Sequence, residues 1–153
     1  MRRSLNLFEP KSFFRARGGG SIGWGLSGAL GVKLGAPERP VIAVSGDGSA
    51  AWNMQSFWTA SHYNIPVTFI ITSNRTYRQV KLMRKLMLGK GRLDEKQTGM
   101  ELDQPSIDFC QLAGSMGVSG EKCERPEDLG PALRSALQSE QPRVIEVCIE
   151  NNP

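Results

Sequence analysis

Short apolar runs alternate with segments of helical periodicity along this chain. Strands are indicated where a mostly apolar run is bounded by proline, glycine or asparagine, at 41–45, 67–72, 118–122 and 143–149. Helices are indicated where apolar residues recur every three or four positions, at 22–34, 49–60, 77–88, 107–116 and 127–139. Because strands alternate with helices and are apolar throughout, the pattern predicts an α/β fold, a parallel sheet flanked by helices on both faces.

Three local signals refine this pattern. Ser49 stands at the start of the second helical segment, where a serine side chain can cap the first turn. Pro126 stands at the start of the last helical segment, a position that does not need the backbone N–H that proline lacks. Residues 89–105 are polar and predict a long loop.

The composition is that of an ordinary globular domain. The chain has 153 residues, 39% of them hydrophobic and 22% charged, which suits one folding unit. No apolar run approaches the roughly 18 residues that a membrane span needs, and no apolar core of a signal peptide follows the basic start. Cys110, Cys123 and Cys148 form no disulfide or zinc pattern, so we expect a reduced, cytoplasmic protein.

The charged and aromatic residues add little chemistry. The net charge of +4 permits an anionic ligand. The basic residues between 78 and 92 are expected to form a solvated helix face, and without a recognised binding motif neither nucleic acid nor membrane is expected as a partner. His62, the only histidine, is expected at the surface or in packing. The spacings of Trp24, Trp52 and Trp58 suit core packing.

Glycine is concentrated in one place. Eight of the 17 glycines fall between residues 18 and 35, in the stretch GGGSIGWGLSGALGVKLG. Glycine permits a left-handed backbone and the close approach of a ligand or a second backbone. Since the apolar residues between these glycines keep a helical spacing, we predict a glycine-rich turn at 18–22 that leads into a closely packed helix.

Two polar side chains follow the first two predicted strands. Asp47 lies between two glycines after the first strand, and 25 residues separate Gly48 from Asn74 after the second. Ligands of open α/β sheets bind beyond the carboxyl ends of the strands, where these two side chains should meet. Carboxylate and amide oxygens suit Mg²⁺ or Ca²⁺, and Mg²⁺ usually also binds phosphate oxygens. The helix that starts near Ser49 would offer backbone N–H groups to such a phosphate.

Each of these signals also has a plainer interpretation. Asp47 could simply form an Asp-Gly turn, and Asn74 could simply cap a helix. The glycines at 18, 20, 23, 25 and 28 also fit a dinucleotide fingerprint, but that motif needs a strand before it, and residues 11–17 are not a convincing buried strand. Two strand-end side chains combined with a glycine loop favour a metal–diphosphate site.

The combination resembles a known cofactor signature. Gly-Asp-Gly followed after 25 residues by asparagine is similar to the signature of the cofactor-binding domain of thiamine diphosphate-dependent decarboxylases and carboligases. The stretches GGGSIGWGLSGALGVKLGAPERPVIAVSGDGSA and WTASHYNIPVTFIITSNRTY resemble benzoylformate decarboxylase-like members most. The resemblance runs from about residue 18 to the C-terminus. It implies an N-terminal lead segment at 1–17 and a thiamine diphosphate- and Mg²⁺-binding domain at 18–153.

The resemblance implies specific roles at the metal and diphosphate. Mg²⁺ would be held by the side chains of Asp47 and Asn74 and by the carbonyl of Thr76. Three residues would line the diphosphate: Gly48, Ser49 and Tyr77.

At the aminopyrimidine end, the resemblance points to Gly20, Ser21 and Ile22. The carbonyl of Gly20 would meet the amino group of the ring, and Ile22 would be the bulky residue under the bent cofactor. Two positions depart from the pattern: Ser73 stands where asparagine is frequent, and Arg75 replaces a small residue and could alter access to the site.

The resemblance also implies an activity and its requirements. The cofactors would be thiamine diphosphate and Mg²⁺, and the substrate a small 2-oxoacid. No catalytic residue is expected in this chain, because the activating glutamate belongs to a pyrimidine-binding domain that the chain lacks. We therefore expect the cofactor-binding portion of a benzoylformate decarboxylase-like lyase, inactive alone and working in a homo- or hetero-oligomer with a pyrimidine-binding domain or subunit. The alternatives are part of an acetolactate synthase-like carboligase, or a non-catalytic nucleotide-binding or interaction module of the same fold.

Overall fold

A single parallel sheet organises the molecule. The computed structural model describes residues 10–15, 21–89 and 96–150. In chain order its elements are α1 (Trp24–Gly35), β1 (Val41–Gly46), α2 (Asp47–Ala50), α3 (Ser56–His62), β2 (Val67–Ser73), α4 (Arg78–Leu88), α5 (Phe109–Ser115), β3 (Ser119–Cys123), α6 (Pro126–Gln138) and β4 (Arg143–Cys148). The strands pair in the order β1-β2-β4-β3, all parallel. The predicted α/β fold is confirmed.

The main core lies on one face of the sheet, under α1, α3 and α5. β2 occupies a central position, and its alternate residues Val67, Phe69 and Ile71 are completely buried there. The ring of Phe57 on α3 meets Phe69 edge to face, with centroids 5.3 Å apart. Leu26, Ala29 and Leu30 of α1, spaced three and four residues apart, fall on one side of that helix and complete this core.

α6 covers part of the opposite face. Its Ala132 and Ala136 pack with Ile145 of β4 and Cys123 of β3. The helix begins at Pro126, as predicted, and the Asp128 carboxylate caps its first turn by accepting the N–H of Arg125 at 3.2 Å and pairing with the guanidinium of Arg125 at 2.9 Å. On the same face the outward residues of β1, Ile42 and Val44, are exposed. The described helices therefore lie on both faces but leave this side of β1 uncovered.

The predicted helix at 49–60 is two helices, because Asn53 is used elsewhere. Its Nδ2 donates to the carbonyl of Gly23 at 3.1 Å and to Oγ of Ser27 at 2.7 Å. The prediction that Ser49 caps this helix is wrong: α2 begins two residues earlier, and Oγ of Ser49 accepts the N–H of Gly23 at 2.9 Å.

The predicted burial of the tryptophans is also wrong. Trp24, Trp52 and Trp58 are 41–65% exposed, because smaller residues of α1 to α3 fill the space against the sheet. His62 stacks on Trp58 at the surface, where we expected it. β3 is an exposed edge strand rather than an apolar run, with only Cys123 buried. All three cysteines are free, and no helix of the described residues is long and apolar enough to cross a membrane.

Candidate functional site

Asp47 joins the ends of β1 and β2. Its Oδ1 accepts the N–H of Gly48 at 2.8 Å, and its Oδ2 accepts those of Asn74 at 3.1 Å and Arg75 at 2.6 Å. These bonds are possible because β1 and β2 are parallel neighbours and leave the sheet at the same edge. The structure therefore brings Asp47 and Asn74 together, as their positions at the strand ends predict.

The Asp47 carboxylate is buried, and no cationic side chain of the described residues pairs with it. Burial raises the pKa of Asp47 above its ordinary value, and hydrogen bonds from Gly48, Arg75 and Asn74 oppose that shift. Among the residues that the structure describes, no lysine or arginine nitrogen lies within 4.0 Å of this carboxylate. Buried carboxylates are normally paired with a cation or coordinate a metal. This corner of the sheet therefore suits a positive ion.

Asn74 begins a tight turn beside that carboxylate. Its Oδ1 accepts the N–H of Thr76 at 3.1 Å, and Arg75 between them has a left-handed backbone with φ of 58°. Thr76 is buried, and its Oγ1 donates to the carbonyl of Met100 at 2.9 Å. An amide oxygen has two lone pairs, so Oδ1 of Asn74 keeps one acceptor position for a cation after bonding Thr76.

Tyr77 and Trp52 close the other side of Gly48. The hydroxyl of Tyr77 accepts the indole N–H of Trp52 at 3.0 Å and donates to the carbonyl of Gly48 at 3.4 Å. A methyl group on Gly48 would lie 2.5 Å from Cε1 of Tyr77. Glycine is therefore required at position 48 because the aromatic ring lies directly on its backbone.

Gly48→Ala should displace the Tyr77 ring or distort α2. We expect a loss of about 1–3 kcal/mol in the free energy of unfolding, the usual cost of overpacking, measured by urea denaturation, together with a changed near-ultraviolet circular dichroism spectrum. Gly31→Ala is the matched control, because its methyl group would meet nothing within 4 Å inside α1, where alanine is the better helix former. A Gly48→Ala variant with parental stability and spectrum would contradict this packing.

Hydrogen bonds connect the end of the glycine-rich turn to α2 and the residues that follow it. Gly23 has φ of 89°, and Ser49 and Asn53 hold its N–H and its carbonyl. Ser21 and Ile22, which precede it, are exposed. Gly20 lies outside the described residues. The structure thus links Ile22 to α2 through Gly23, while the predicted position of Gly20 stays a prediction.

Four residues at this corner were not found from the sequence. Asn53 and Trp52 lie in a segment that we predicted as a continuous helix, and an amide among apolar residues was the available signal. Lys81 and Glu101 form an ion pair next to Thr76. No local pattern relates them, because they are 20 residues apart and Glu101 lies in the predicted loop.

An open cavity of about 410 Å³ adjoins the turn at Asn74 and Arg75. Four carboxylates line it: Glu101, Asp103, Glu124 and Glu150. Carboxylates disfavour a second anion at short range. The lining of this cavity therefore disfavours a diphosphate.

Comparison with known proteins identifies the family of this chain. Residues 1–147 match the model of the family described as thiamine pyrophosphate enzyme, C-terminal TPP binding domain. A benzoylformate decarboxylase of Pseudomonas aeruginosa is 37% identical over 143 residues, 94% of this chain and 26% of that protein. A probable acetolactate synthase large subunit of Methanococcus aeolicus is 33% identical over 141 residues, 92% of this chain and 22% of that protein.

A solved structure has the same fold. The thiamine diphosphate-dependent 4-hydroxybenzoylformate decarboxylase of Rhodococcus jostii superposes with a TM-score of 0.75 and 36% identity, over 84% of this chain and 23% of that one. The chain thus spans about a quarter of the length of the relatives that it matches. It belongs to the family of C-terminal thiamine pyrophosphate-binding domains of thiamine pyrophosphate enzymes.

Proposed function

We propose that the corner formed by Asp47 and Asn74 binds Mg²⁺ and, through it, the diphosphate of thiamine diphosphate (thiamine pyrophosphate). One observation carries this proposal: a buried carboxylate that has no cationic partner among the described residues is hydrogen bonded to a turn whose amide oxygen has a spare lone pair. Hard oxygen donors of this kind suit Mg²⁺, which completes its shell with phosphate oxygens and water. The donor set therefore fits the metal.

The remaining site residues take the roles that the family resemblance implies. The carbonyl of Thr76 is the third protein ligand of the metal. Gly48, Ser49 and Tyr77 line the diphosphate, and Gly20, Ser21 and Ile22 meet the aminopyrimidine end. Thiamine diphosphate, when bound, supplies the carbanion chemistry, while the protein contributes binding, orientation and exclusion of water. Residues 18–153 form the cofactor-binding domain, and residues 1–17 its lead segment.

The complete activity that we propose is decarboxylation of a small 2-oxoacid by a benzoylformate decarboxylase-like lyase. The 37% identity to a benzoylformate decarboxylase favours it. An acetolactate synthase-like carboligase is the second candidate, favoured by the 33% identity to an acetolactate synthase large subunit. In either case a pyrimidine-binding domain, in another chain or segment of an oligomer, supplies the activating glutamate.

Ligand choice in a thermal-shift screen tests this function. Thiamine diphosphate with Mg²⁺ should raise the melting temperature by about 5–10 °C at a ligand concentration a hundredfold above Kd. Either component alone should give a smaller shift, because the metal bridges the diphosphate to the protein. Stabilisation by NAD without Mg²⁺, and none by thiamine diphosphate with Mg²⁺, would instead favour the non-catalytic nucleotide-binding module.

A further inference from the structure

Residues 97–102 are held against the turn that carries Asn74 and Thr76. The N–H of Leu102 donates to the carbonyl of Arg75, and the N–H of Tyr77 donates to the carbonyl of Met100, both at 2.8 Å. Thr76 lies between these bonds and pairs with Glu101 in an antiparallel bridge. The backbone on both sides of Thr76 is therefore fixed by a segment 20 to 27 residues further along the chain.

The conformation of this turn needs such support. Arg75 has φ of 58°, a left-handed backbone that is strained for any residue with a side chain. Strained conformations persist only where the surroundings hold them. Here the N–H of Arg75 donates to the carboxylate of Asp47, and the carbonyl of Arg75 accepts the N–H of Leu102.

Lys81 on α4 anchors the supporting segment through its charge. Its side chain is 2% exposed, and Nζ lies 2.5 Å from Oε1 of Glu101. The same Oε1 accepts the N–H of Gln97 at 3.0 Å, so one carboxylate joins the helix to the beginning of the segment. On α4 the apolar side chains of Val80 and Met83 are exposed, whereas the lysine is buried. A helix usually buries its apolar side chains and exposes its charged ones, and α4 does the reverse at these positions. The ion pair therefore attaches α4 to the supporting segment.

We propose that Lys81 and Glu101 are positioning residues whose ion pair holds residues 97–102 on the turn at 74–76 and thereby sets the affinity for Mg²⁺. Neither residue touches the metal in this proposal; both act through the backbone of Arg75, Thr76 and Tyr77. The proposal rests on the proposed function, because it assigns these residues to the same metal site. Groups that orient metal ligands typically change metal affinity 10- to 100-fold when they are replaced.

The test measures the Mg²⁺ dependence of thiamine diphosphate binding to the full chain by titration calorimetry. Lys81→Met and Glu101→Gln should each raise the half-saturating Mg²⁺ concentration 10- to 100-fold. The double variant should need no more Mg²⁺ for half-saturation than the single variant with the larger effect, because both changes remove the same ion pair. Lys81→Arg, which keeps the charge, should stay within about threefold of the parent. Lys96→Met is the matched control, because it removes an ion pair with Asp103 that flanks residues 97–102, and Lys96 is 68% exposed.

Unfolding in urea without ligands separates positioning from plain stability. If Lys81→Met does not fold, Glu101→Gln carries the test, because it removes the charge that pairs with Lys81 while its amide oxygen can still accept the N–H of Gln97. Loss of stability in the variants with an unchanged Mg²⁺ dependence would overturn the proposal, as would an equal effect of Lys96→Met. A parent chain that does not bind thiamine diphosphate with Mg²⁺ would overturn the proposed function itself, and this inference with it.

Discussion

Replacement of Asp47 by alanine should abolish Mg²⁺-dependent binding of thiamine diphosphate. The substitution removes the buried carboxylate that accepts N–H bonds from Gly48, Asn74 and Arg75, and so removes both a proposed metal ligand and the connection between β1 and β2. The loss should exceed the 10- to 100-fold effect of groups that only orient ligands. Titration calorimetry of the cofactor at saturating Mg²⁺ measures it.

Two further variants make this result specific. Asp47→Asn keeps the shape of the side chain but removes its charge, and should lose Mg²⁺-dependent binding as well. Glu127→Ala removes an exposed carboxylate on α6 and should bind like the parent. If Asp47→Ala folds, as judged by circular dichroism, and still binds thiamine diphosphate with parental Mg²⁺ dependence, the site assignment is wrong.

The purified 153-residue chain should show little or no decarboxylation, even with saturating thiamine diphosphate and Mg²⁺. The site that we propose addresses only the metal and diphosphate end of the cofactor. The family resemblance places the activating glutamate in a pyrimidine-binding domain. Ile22, which we propose for the aminopyrimidine end, and Trp24 nearby are exposed. A steady-state assay with benzoylformate and with pyruvate measures the activity.

The dependence on a pyrimidine-binding domain can also be tested by restoring activity. Adding a protein that carries a pyrimidine-binding domain should restore turnover, and Asp47→Ala or Asn74→Ala in this chain should prevent the rescue. Robust decarboxylation of benzoylformate or pyruvate by the chain alone, in a preparation shown to be free of host enzymes, would refute the expected dependence on a partner.

The strands were predictable because their boundaries are local. Each of the four predicted runs lies within one residue of the observed strand at both ends. Proline precedes β1, β2 and β4, and glycine or asparagine follows β1 and β2. These residues mark the ends of short apolar runs that are best accommodated as buried strands. Parallel pairing then brings Asp47 and Asn74 to one edge, so the centre of the candidate site followed from the sequence.

The misses have a common physical cause, which is a bond to a distant part of the chain. Asn53 interrupts a segment of helical periodicity because its amide is taken by Gly23 and Ser27, 30 and 26 residues earlier. Lys81 is buried within a basic helix because Glu101 compensates its charge. Periodicity identifies a residue that prefers one face of a helix, but not whether the fold places anything opposite that face, as the exposed Trp58 illustrates.

The hydrogen bond between Trp52 and Tyr77 also gives this protein an intrinsic optical reporter. The indole N–H of Trp52 donates to the hydroxyl of Tyr77, and this hydroxyl donates to the carbonyl of Gly48. Indole emission is sensitive to the polarity and hydrogen bonding around the ring, and this ring is largely exposed to solvent. Trp24 and Trp58 can be replaced by phenylalanine, which leaves Trp52 as the single tryptophan. Events at the end of β1 can then be followed in real time without attaching a dye.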